Sequence, residues 1–79
     1  MDADHLVQMA NRIATFFDAM PDREEAVEGV AQHIRKFWAP RMRRELLAHL
    51  HRQGDAGLHP LLAQALHRRE AALTPGAGG

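Results

Sequence analysis

Pro21, Pro40 and Pro60 punctuate this chain, and between them the apolar residues recur at i, i+3, i+4 and i+7. That spacing places them along one face of a helix, whereas a half-buried strand would alternate every second residue. Leu6, Met9, Ala10, Ile13, Phe16, Phe17 and Met20 predict a first helix from about Asp4 to Met20. Pro21 ends it, because proline disfavours helical geometry in the residue before it. Asp22 then offers a capping oxygen and Glu25 follows three residues on, in the manner of a capping box. A second helix is predicted from Arg23 to Trp38, with Val27, Val30, Ala31, Ile34, Phe37 and Trp38 on its apolar face. Its last turn carries His33, Arg35 and Lys36, where cations suit the negative end of the helix dipole.

Pro40 suits a first helical position, where its missing N–H costs nothing. The third helix is predicted from Pro40 to about Arg52, closing at Gly54, with Met42, Leu46, Leu47 and Leu50 apolar. Gln53 to Gly57 reads as a loop. A short fourth helix follows from His59 or Pro60 to Ala72, carrying Leu61, Leu62, Ala65, Leu66 and Leu73. There is no internal repeat and no strand signal. The fold expected is all-α: a small bundle of three longer helices and a short fourth, forming one domain over residues 1–73. Residues 74–79 lack core-forming side chains and are expected to be a flexible tail.

The chain has 79 residues and no cysteine. A domain of this size buries only about 60% of the surface its unfolded chain exposes. Small scaffolds therefore use disulfides, a metal or a partner as a staple, and the missing thiols remove disulfides and thiolate metal sites together. A partner is the leading remaining staple. The N-terminus, Met1-Asp2-Ala3-Asp4-His5, is acidic rather than the basic, then apolar, start of a secretory signal. No apolar run approaches the roughly 20 residues of a membrane span. The expectation is a cytoplasmic chain with no membrane partner.

Charge is balanced overall, with ten acids and ten basic residues, but it is unevenly placed. Residues 1–32 hold seven acids against Arg12 and Arg23; from His33 onward there are eight basic residues against Glu45, Asp55 and Glu70. Such asymmetry marks either a binding surface or acidic and basic helices that pack on one another. Both remain open at this level.

Catalysis finds little support. There is no serine and no tyrosine, and Thr15 and Thr74 are the only hydroxyl side chains. Asp22, Glu24 and Glu25 cluster at a helix start, where acids are favoured electrostatically. The six histidines invite a metal site, yet helical ligands need i, i+3 or i+4 spacing. His49 and His51 are two apart and point to nearly opposite sides, while His5, His33, His59 and His67 are scattered. His33 and Phe37 share a face, as a packing pair. The chain is expected to be non-catalytic and to bind no metal or cofactor itself.

Phe37-Trp38-Ala39-Pro40-Arg41-Met42-Arg43 is the most informative stretch. It gathers the sole Trp, a Phe, a Met and two Arg at a proline-marked corner. Trp and Arg are enriched among residues that dominate interface energies. On a helical wheel Arg43 falls inside the arc of Leu46, Leu47 and Leu50, so its charge must be paired, must snorkel, or must meet an external anion. The candidate partner-binding residues are Arg35, Phe37, Trp38, Pro40, Arg41, Met42 and Arg43. The competing reading makes Phe37 and Trp38 core and Arg41 and Arg43 solvated. Arg35, Lys36, Arg41, Arg43, Arg44 and Arg52 could also form a phosphate-binding patch, but the balanced charge speaks against nucleic acid.

Three blocks resemble a known family. Asn11-Arg12-Ile13-Ala14-Thr15-Phe16-Phe17, Ala31 through Arg43 with its His-x-x-x-Phe-Trp-x-Pro-Arg-Met run, and Gly57-Leu58-His59-Pro60-Leu61-Leu62 are similar to the delta subunit of soluble NAD-dependent formate dehydrogenases. The resemblance implies an accessory subunit beside a molybdenum- or tungsten-containing catalytic alpha subunit, with beta and gamma subunits. Those partners are expected to carry bis-molybdopterin guanine dinucleotide (bis-MGD), iron–sulfur clusters and FMN. The assembly oxidises formate to carbon dioxide, reduces NAD+ and can run in reverse. The delta subunit would stabilise the alpha subunit or, as a transient maturation chaperone, assist bis-MGD insertion. As an accessory subunit it is expected to dock with Trp38 and Met42 as apolar anchors, and Arg41 and Arg43 as partners for carboxylates.

Overall fold

The computed structural model describes residues 2–76, arranged as α1 (Ala3–Phe17), α2 (Arg23–Phe37), α3 (Pro40–Gln53), α4 (Pro60–Arg68) and α5 (Glu70–Leu73). The described residues are all-α, as the apolar spacing predicts. Ala77, Gly78 and Gly79, the end of the expected tail, lie outside the described residues.

Each boundary has a local cause. The Asp2 carboxylate accepts from the Asp4 N–H at 3.2 Å and opens α1. α1 stops at Phe17 rather than Met20, because the Ala19 and Met20 N–H groups bond the carbonyls of Phe16 and Phe17. These i→i−3 bonds tighten the chain before Pro21. Asp22 caps α2, accepting from Glu24 and Glu25 N–H at 2.9 and 3.4 Å. Pro40 and Pro60 open α3 and α4, and His59 Nδ1 accepts from the Leu61 N–H at 3.0 Å. Gly54 closes α3 at φ +64°, a conformation that glycine adopts without steric penalty.

The predicted fourth helix divides in two. Arg69, at φ −120° and ψ 25°, breaks it, and the chain restarts as the short α5. The break turns Leu73 inward, where it is fully buried.

α2 packs on α1, α4 and α5, and α1 also contacts α3 and α4. Leu6, Val27, Val30, Ile34, Leu46, Leu61, Leu62, Leu66 and Leu73 form the centre. Asn11 joins two distant parts of the sequence. Its amide donates to the Gly57 carbonyl and accepts from the His59 N–H, both at 2.9 Å, which fixes the α3–α4 loop against α1.

The charge asymmetry is in part a packing device. Glu24 pairs with Arg68, and Glu28 with Arg69 at 2.8 Å, so α2 and the end of α4 are joined by opposite charges. The Arg69 guanidinium, then the Gln32 amide, hold the Glu28 carboxyl below its ordinary range, and Glu28 in turn raises Arg69. Asp18 pairs with Arg23 at 3.0 Å. Arg12, Arg35, Lys36, Arg41, Arg44 and Arg52 make no ion pair among the described residues.

Candidate docking surface

The residues expected at the α2–α3 corner divide between inside and outside. Trp38 is the first residue beyond α2, with extended backbone at φ −91° and ψ 136°, and it is only 5% exposed. Its indole belongs to the core, so it is not presented to a partner as an anchor. Met42 is half-buried against the same core. Phe37, one residue earlier, is 73% exposed. Arg35, Pro40 and Arg41 are also exposed.

Arg43 is paired within the chain. Its Nε–H donates to the Leu73 carbonyl at 3.1 Å, and Nη1 donates to the carbonyls of Arg35 and Trp38 at 3.0 and 3.2 Å. The last carbonyls of a helix lack intrahelical donors and carry the negative end of its dipole. One guanidinium thus ties the end of α2 to the end of α5. The wheel reading that Arg43 needs a partner is met, but by the chain's own backbone rather than by an external carboxylate.

What remains outside is aromatic. Phe16 and Phe17 meet edge-to-face with centroids 5.1 Å apart; Phe17 lies 6.3 Å from the His33 ring, and His33 lies 4.9 Å from Phe37. The row crosses from α1 to α2, and both of its ends are exposed, Phe16 at 74% and Phe37 at 73%. Beside it lies a shallow groove lined by Arg12, Ile13, Phe16, Phe17 and His33. A second hollow, at the corner, is lined by Ala39, Pro40, Arg41, Met42 and Arg44.

Helix α1 explains why this row is uncovered. Its innermost residues are Leu6, Ala10 and Ala14, flanked by Val7. The larger Met9, Ile13 and Phe17 lie on the flank, only partly buried. The apolar stripe of α1 is therefore wider than the face its own neighbours cover. Helix-wheel reasoning assigns the whole stripe to the core, and so it misses that Phe16 is exposed and Phe17 only half-buried. The usable signal was the i, i+4 pair of His33 and Phe37, which continues the stripe onto α2.

Among the described residues no group of three His, Asp or Glu side chains gathers to hold a metal. Among the described residues no helix is long and apolar enough to cross a membrane.

Fold and surface together define a class: a small helical protein in which the exposed large apolar residues among those described, Phe16 and Phe37, end one aromatic row. Residues 5–66 match the model of the NADH-dependent formate dehydrogenase delta subunit family, FdsD, and the chain belongs to that family. Comparisons with curated proteins and with solved structures return no match. Asn11 with Gly57 and His59, and Trp38 with Arg43, carry the resemblance in sequence, and each set meets in space to hold the fold.

Proposed function

We propose that this chain is a non-catalytic accessory subunit that docks on, and stabilises, the molybdopterin-containing catalytic subunit of an NAD-dependent formate dehydrogenase. The observation that carries this reading is the aromatic row of Phe16, Phe17, His33 and Phe37, left uncovered in a chain that belongs to a formate dehydrogenase subunit family. Exposed aromatic clusters bordered by arginine are typical of binding energy concentrated at an interface. Phe37 stands where the row meets the corner, so Arg35 and Arg41 form a basic rim for partner carboxylates. Trp38 and Arg43 act one step back, holding that corner in shape.

The test is co-purification of the tagged chain, followed by gel filtration and an assay for formate-dependent NAD+ reduction. Stoichiometric recovery in active enzyme is expected. Truncation of an interface anchor costs about 2 kcal/mol or more. Phe16→Asp combined with Phe37→Asp should therefore reduce recovery by at least about 30-fold while the circular dichroism stays helical. Recovery only with a cofactor-free catalytic subunit would replace the resident subunit by a transient maturation chaperone. Recovery of no formate dehydrogenase subunit would refute both roles.

A further inference from the structure

We infer that the groove between α1 and α2 receives an amphipathic helix of the catalytic subunit, which presents an apolar side chain to Ile13, Phe16 and Phe17 and a carboxylate to Arg12. This inference rests on the docking reading above and specifies the chemistry of the partner.

Charge complementarity selects the occupant. Among the lining residues Arg12 is the one with a permanent charge, and it makes no ion pair or side-chain hydrogen bond among the described residues. Asp18, the residue after α1, pairs with Arg23, and Glu28 of α2 pairs with Arg69, so neither carboxylate is committed to Arg12. A cation at the rim of an apolar groove favours an apolar side chain with an acid close by.

The geometry of the groove selects a helix. Both walls are helices, whose backbone N–H and C=O groups are satisfied along their length, so strand addition has no edge to use. Recognition must then run through side chains delivered at i, i+3 and i+4 spacing, the helix-in-groove mode.

Gly29 keeps the groove open. A Cβ built at this position would stand 2.5 Å from Phe17 Cδ1 and 2.6 Å from Cε1. The ring lies directly against the α2 backbone, and any side chain at position 29 would displace this wall of the groove. Gly29 is thus a positioning residue for the surface, although glycine inside a helix is itself unfavourable by roughly 0.5–1 kcal/mol relative to alanine.

The experiment uses the intact complex. The photo-crosslinking analogue p-benzoylphenylalanine replaces Phe16, and crosslinked peptides are sequenced by mass spectrometry. The expected product joins position 16 to a catalytic-subunit segment of helical periodicity, with Asp or Glu within one turn of the crosslinked residue. Arg12→Glu should lower recovery of the catalytic subunit by roughly 10-fold, and Arg12→Lys should retain most of it. Gly29→Ala should lower recovery by a similar factor while the thermal midpoint of the isolated chain holds or rises, a combination that simple misfolding does not produce. Crosslinks to a second copy of this chain, to a non-acidic segment, or to nothing overturn the inference, as does full recovery of Gly29→Ala and Arg12→Glu. If the wild-type complex forms while these tests fail, only the groove assignment falls. If the wild-type chain recovers no catalytic subunit, the docking reading falls with it.

Discussion

The outer face of α1 and α2 and the corner between α2 and α3 are built from the same materials, aromatic rings and arginine, with opposite outcomes. At the corner Trp38 enters the core, and Arg43 spends its donors on the carbonyls of Arg35, Trp38 and Leu73. On the outer face Phe16 and Phe37 stay in solvent, and Arg12 finds no carboxylate among the described residues. Composition therefore does not separate an interface from a structural joint. The separation comes from whether the fold itself satisfies the groups: the joint of Trp38 and Arg43 is internally complete, and the outer face is not.

The largest effect should come from the adjacent pair that straddles this boundary. Trp38→Ala removes a buried indole and is expected to cost about 3–5 kcal/mol, enough to abolish the cooperative unfolding transition of so small a chain in urea. Phe37→Ala should leave the isolated chain within about 0.5 kcal/mol of wild type and act only on partner recovery. Equal effects of the two substitutions on stability would erase the distinction between the regions.

Arg43 comes next. Arg43→Met keeps the stem and leaves three carbonyls without the guanidinium, at a cost of roughly 2 kcal/mol. Hydrogen exchange should show faster opening at the ends of α2 and α5 together. Arg43→Lys should recover only part of this, because an ammonium cannot reproduce the planar fork. Faster exchange in α2 alone would show that Arg43 does not join the two ends.

The smallest effect concerns Glu28, half-buried on the side where α2 meets α4. Its carboxyl is held low, first by the hydrogen bond from Arg69, so folding favours its ionised form. That contribution is complete above the ordinary carboxylate range and fades as pH falls through the lowered folded value. Glu28→Gln should flatten the acid limb of a stability-against-pH curve and leave the neutral limb nearly parallel to wild type. An unchanged acid limb would mean that the pair with Arg69 does not form in solution.

Much of the framework was legible because its causes are local. Asp22 announces α2, Pro40 and Pro60 announce α3 and α4, and Gly54 closes α3, each through bonds within a few residues. The end of α1 and the break at Arg69 were not legible. The first depends on how the chain winds down before Pro21, and the second on the burial of Leu73 against distant helices. Of the expected binding residues, Arg35, Phe37, Pro40 and Arg41 are at the surface. The enrichment of Trp at interfaces puts Trp38 outside, whereas the apolar face of the predicted second helix puts it in the core, where it lies. Periodicity reads Phe16 and Phe17 as core, yet Phe16 is exposed and Phe17 half-buried, because spacing tells which side chains share a face, not how much of that face a neighbour covers.

By itself, then, the amino-acid order determined the helical class, most of the helix starts and the family, since capping, proline geometry and motif spacing act over a few residues. Only the tertiary structure decided which arginine is spent and which is free, and which aromatics are core and which are offered outward. Those outcomes depend on groups brought together from far apart in the chain, Arg43 with Leu73 and Gly29 with Phe17, and no local pattern encodes whether such partners meet.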